Sequence, residues 1–198
     1  MNLRNWWYLF WSTLVVGGIT AFLTSFVLMI SDARFLEELT AGGFIFNGIN
    51  FFGSGLMYSV FSQMGFFAYL MINYIALSII RRMELWKVVQ VILTIVVLVD
   101  LVVLPVIQFE SPKAWYVYLV IPVLLSIGAF VVGYYKVKAT NQSAWIPTLF
   151  FMIAATAIEA VPALKVDHFA DIAQMMIPLF ACNAWQILQL HKLVRKPS

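Results

Sequence analysis

Charge is what this sequence has least of. Only 11% of its 198 residues are Asp, Glu, Lys or Arg, where a water-soluble domain carries about 25%. Too few ionic groups are present to coat a water-exposed globule. Cysteine is nearly absent too: Cys182 stands alone, so no intrachain disulfide can form and redox compartment leaves no mark. The two histidines, His168 and His191, are expected on opposite sides of a membrane and cannot share a metal. No metalloprotease helix motif, phosphate-binding glycine loop or nucleophile elbow occurs. Nothing here nominates a catalytic residue, a metal or a cofactor, and a non-enzymatic protein is expected.

What fills the chain is apolar. Hydrophobic residues make up 63% of it, and a bilayer core of about 30 Å is crossed by roughly 20 such residues in a helix. The charged residues divide the sequence into six spans, at 6–30, 55–80, 85–108, 115–135, 144–164 and 169–190. The expected fold is therefore an all-α integral membrane protein, one transmembrane domain over 1–198. The first apolar run is longer than the 7–15 residues of a cleavable signal core, so it reads as a retained helix. The basic excess sits at helix ends, which fits a membrane surface and no nucleic acid partner.

Between Leu39 and Ile80 no charge occurs, a length sufficient for two crossings. Gly42, Gly43, Asn47, Gly48, Asn50 and Gly53 interrupt its first half, so residues 40–52 are expected to form an interfacial or re-entrant segment. Six spans with the N-terminus inside put nine of the 12 Lys and Arg on the inner side, leaving Arg34, Lys113 and Lys165 outside. That bias follows the positive-inside rule and sets both termini in the cytoplasm. Trp6, Trp7, Trp11, Trp86 and Trp145 mark the inner boundary, and Trp115 and Tyr116 the outer one.

Two carboxylates, Asp100 and Glu159, fall within spans at comparable depth in the outer half. Inserting such a charge costs about 2.5–3.5 kcal/mol, and no basic residue lies at that depth to pair with it. The pair is a candidate intramembrane polar site for a cation or proton; two independent residues at helix contacts are the plainer alternative. Pro105, Pro122, Pro162 and Pro178 lie in or near the spans and free backbone carbonyls there. Gly55, Ser59, Ser62, Phe66, Tyr69 and Asn73 recur at four- and three-residue spacing, so they form one helix face suited to close packing or partner contact. Thr13, Gly17, Ala21 and Ser25 form a similar seam on the first helix, and Asn183 and Gln186 share a face on the last.

The run Ser62-Gln63-Met64-Gly65-Phe66-Phe67-Ala68-Tyr69-Leu70, followed by Leu85-Trp86, Gln90 and Asp100-Leu101, resembles the KinB-signalling pathway activation proteins of endospore-forming bacteria. The opening Arg4-Asn5-Trp6 and the chain length agree. The resemblance implies a multi-spanning cell-membrane regulator. Its implied partner is a membrane sensor histidine kinase, or an accessory of one, that feeds the sporulation phosphorelay. It transfers no catalytic residue. Two other readings stay open at this point: a small transporter or ion-coupled permease using Asp100 and Glu159, and a lipid-modifying intramembrane enzyme.

Overall fold

Long apolar stretches coil into six helices among the described residues. The computed structural model describes residues 3–31, 41–108, 118–164 and 169–194. Helix α1 is Leu3–Ser31, α2 Ala41–Ile80, α3 Met83–Gln108 and α4 Val120–Ala139. Helix α5 is composite: α-helical over Trp145–Phe150, π-helical over Phe151–Ala155, and α-helical again over Thr156–Glu159 and Val161–Leu164. Helix α6 is Phe169–Val194. Four stretches are long and apolar enough to cross a bilayer, Leu3–Ile30, Phe46–Ile80, Met83–Ile107 and Val120–Ala139.

Three sequence expectations change. Residues 41–52 form no re-entrant break, because they continue α2, which runs unbroken for 40 residues, about 60 Å at 1.5 Å per residue. Its glycines and asparagines carry poor helix propensity, but packing against α1 overrides propensity: Phe52 fills the surface left open by Gly18, and Gly48 lies against Phe22. The 144–164 span is not one regular helix but is interrupted by the π segment. Lys136 does not mark a solvated helix end. It is buried, and its Nζ donates to the Ile187 carbonyl at 2.5 Å. The outer bases Arg34, Lys113 and Lys165, the terminal Arg195 and Lys196, the Trp115–Tyr116 belt and His168 lie outside the described residues.

Helices α1, α2 and α6 form the most extensive interfaces, and α5 sits between α2, α3, α4 and α6. Close approach of α1 to α2 depends on missing side chains. A Cβ on Gly55 would overlap the Gly17 carbonyl oxygen and fall 2.6 Å from Ala21 Cβ. At the opposite end of α2, Arg81 adopts φ 54° and its N–H caps the Leu77 carbonyl at 3.2 Å, a left-handed stop that folds α3 back within two residues.

Contacts across the bundle fix which helix ends share a side. Asn5 Nδ2 donates to the Leu193 carbonyl at 3.0 Å, the Trp86 indole N–H to Asn73 Oδ1 at 2.8 Å, and the Tyr69 hydroxyl to the Pro147 carbonyl at 3.4 Å. With Lys136 on Ile187, these tie the start of α1, the α2–α3 turn, the end of α4, the start of α5 and the end of α6 together. Every Lys and Arg among the described residues (Arg4, Arg81, Arg82, Lys87, Lys136, Lys138 and Lys192) therefore falls at that one end.

Polarity is inverted relative to a water-soluble bundle. Thr13, Ser59, Ser62, Gln90, Thr156, Asn183 and Gln186 are buried, whereas Ile79 and Ile107 are each 75% exposed. Exposed Val, Ile, Leu and Phe continue along α1 to α4. Gly55→Ala should cost about 1–3 kcal/mol, because the helix backbone opposite cannot yield. Gly53→Ala, whose Cβ would meet nothing within 4 Å, should be neutral or gain up to about 1 kcal/mol. Unfolding in detergent micelles reads both, and equal effects would contradict the α1–α2 crossing.

Candidate functional site

The inward stripe of α2 meets four different neighbours along its length. Near Gly55, Ser59 Oγ donates within its own helix to the Gly55 carbonyl at 2.8 Å and lies 3.1 Å from the Thr13 carbonyl of α1. Its hydroxyl also lies 3.5 Å from Cys182 Sγ on α6. One turn on, Ser62 faces α6. Phe66 then meets Phe151 of α5 edge-to-face and Tyr69 packs against the same ring at a tilt, with ring centroids 5.5 and 4.9 Å away. Asn73, the last member, is half-buried and accepts the Trp86 N–H from α3.

Ser62 stands at the middle of a polar relay. Gln186 Nε2 donates to Ser62 Oγ at 2.6 Å, and Ser62 donates to Asn183 Oδ1 at 2.8 Å. Asn183 Nδ2 in turn donates to Thr156 Oγ1 at 3.0 Å and to Glu159 Oε2 at 2.8 Å. Four of these five groups are fully buried. The chain of bonds joins α2, α5 and α6 through side chains alone, and each link gives about 0.5–1.5 kcal/mol. A neutral amide suits Asn183, since it donates to two acceptors while accepting from Ser62.

Glu159 keeps one oxygen without a partner. Its Oε1 is buried and makes no hydrogen bond, and it rests against Gly65, where a Cβ would overlap it. Beside it, a cavity of about 270 Å³ between α2 and α5 is lined by Gly65, Tyr69, Phe151, Ala154 and Glu159 among others. The arrangement fixes a carboxyl group by one amide and leaves its other oxygen towards an apolar recess. It assembles no nucleophile–base pair around that carboxyl.

Asp100 belongs to a different place. It is on the exposed side of α3, next to buried Leu101, and joins neither the relay nor the cavity. Of the residues singled out in the sequence, the structure brings Ser62, Asn183, Gln186 and Glu159 together and leaves Asp100 apart. Thr156 and Gly65 escape a pattern search. Thr156 follows the π segment, where helical spacing fails, and Gly65 lies one turn from Ser62 but has no polar atom to attract notice.

Comparison with known proteins gives one consistent result. The family described as KinB-signalling pathway activation in sporulation (KbaA) matches residues 17–193. A protein of Bacillus subtilis (strain 168) named KinB-signaling pathway activation protein is 35% identical over 189 residues, covering 94% of this chain and 96% of that one. No solved structure matches.

The Gly65–Glu159 contact is testable by a double-mutant cycle. Gly65→Ala should displace the carboxyl from Asn183 and destabilise the protein, whereas the same change made on Glu159→Ala should cost little. A coupling of about 0.5–3 kcal/mol is expected for residues in contact, read from unfolding in detergent. Strict additivity would show that the two residues do not touch.

Proposed function

This chain belongs to the family of KinB-signalling pathway activation proteins, and we propose that it is a polytopic cell-membrane regulator that activates a membrane sensor histidine kinase pathway at the onset of sporulation. The relative's name, together with identity along nearly the whole chain, is the observation that carries the reading. The membrane part is supported by inverted polarity, since exposed aliphatic faces of this extent are costly in water and at no cost in acyl chains. Gathering of the described bases at one bundle end supports six crossings with that end and both termini in the cytoplasm.

The regulator acts by contact rather than by chemistry. The polar relay inside the bundle ties α2, α5 and α6 together, so the surfaces offered to a kinase are the exposed helix faces and the basic end. The family is described by pathway activation and not by a reaction. An ion-coupled permease would need Asp100 and Glu159 at one site, and their separate positions give that reading no support.

Loss of the gene should lower phosphorelay output in cells that depend on the kinase, measured by a sporulation-promoter reporter. Unchanged output in such a strain would sink the regulatory reading. Reporter fusions in the connection from Arg81 to Lys87 should report the cytoplasm, and an exterior signal there would overturn the orientation.

A further inference from the structure

Asp100 is the one described carboxylate that faces outward from the middle of a long apolar helix. It makes no hydrogen bond or ion pair with any described residue. Helix α3 is also the least covered of the four long apolar helices, with 17% of its most apolar window buried. Around Asp100 its outer face is aliphatic: Val96, Val99, Val103 and Ile107 are 48%, 52%, 41% and 75% exposed. At 1.5 Å per residue Asp100 lies about 12 Å from the Gln108 end and about 26 Å from the Met83 end. Given the membrane reading above, on which this inference rests, that places an acid against lipid within the hydrocarbon layer.

An acid there is costly to insert, and charged groups at such depth pair with one another or face a wet cavity. We propose that the outer face of α3 docks one transmembrane helix of a different protein, and that Asp100 pairs there with a Lys or Arg side chain on that helix. Each charge alone would be expensive in lipid; together, at low dielectric, they attract strongly and fix depth and register. In a second copy in the same orientation every described base lies at the opposite end of the bundle, and no Lys or Arg occurs between Lys87 and Lys113, so its described residues offer Asp100 no partner. The flanking valines supply a smooth aliphatic strip against which the incoming helix can pack.

A photo-crosslinking residue placed at Val103, three positions beyond Asp100, tests this in intact cells, with Ile19 on α1 as the comparison site. The Val103 probe should give an adduct with another membrane protein, and mass spectrometry should locate it on an apolar helix carrying Lys or Arg. Asp100→Leu should weaken that adduct by at least about tenfold, since breaking a buried charge pair costs several kcal/mol. Exchanging the charges, Asp100→Lys with the partner's base changed to Asp, should restore it. Purified Asp100→Leu protein should unfold no more easily than wild type, because Asp100 has no partner among the described residues. The proposal is overturned by an adduct indifferent to Asp100→Leu, by adducts only with lipid or a second copy, by a captured helix without a base, or by destabilised Asp100→Leu protein. Recovery of the chain outside the membrane fraction would remove this inference and the function above together. A membrane-inserted chain with charge-independent adducts would remove this inference alone.

Discussion

The hydroxyl of Ser62 holds this bundle together out of proportion to its size. It accepts a hydrogen bond from Gln186 and donates one to Asn183, and Asn183 then reaches Thr156 and Glu159. Helices α2, α5 and α6 are joined by groups buried away from other partners, because the exterior around them is largely apolar. Such a relay gives uniqueness more than strength, since sliding or rotating any member would leave several buried polar atoms unsatisfied at once. Aromatic packing of Phe66 and Tyr69 on Phe151 and the glycine-lined α1–α2 crossing settle around that arrangement.

Much of this was visible in the order of residues, and the failures are instructive. The four- and three-residue spacing from Gly55 to Asn73 marks a face that is buried along most of its length, because a long regular helix preserves angular relationships. Asn183 and Gln186 are legible for the same reason. Thr156 and Glu159 are not placed by spacing, since the π segment before them breaks the period. Residues 40–52 mislead because glycine and asparagine weaken a helix judged locally, whereas here the neighbouring helix accommodates their small size. Lys136 misleads differently: its long apolar stem lets a charged residue lie inside while its amino group finds a backbone carbonyl.

The run that carries the family resemblance, Ser62 to Leu70, serves mainly the interior: Ser62 in the relay, Gly65 beside Glu159, Phe66 and Tyr69 against α5. Trp86 fastens α3 to α2, and Gln90 is fully buried. Asp100 is the exception within that pattern, turned outward on a helix whose other flank packs against α5.

The π-helical Phe151–Ala155 sets a condition on how this chain can change over time. A π turn holds one residue more than an α turn, and one residue corresponds to about 100° of rotation. Were a single residue lost from that stretch, the helix could relax to regular geometry without breaking. Everything after it would then swing by more than a quarter of a circle, carrying Glu159 off its amide partner. Length in this short interval is therefore constrained as tightly as residue identity, and lineages should tolerate swaps there more readily than gaps.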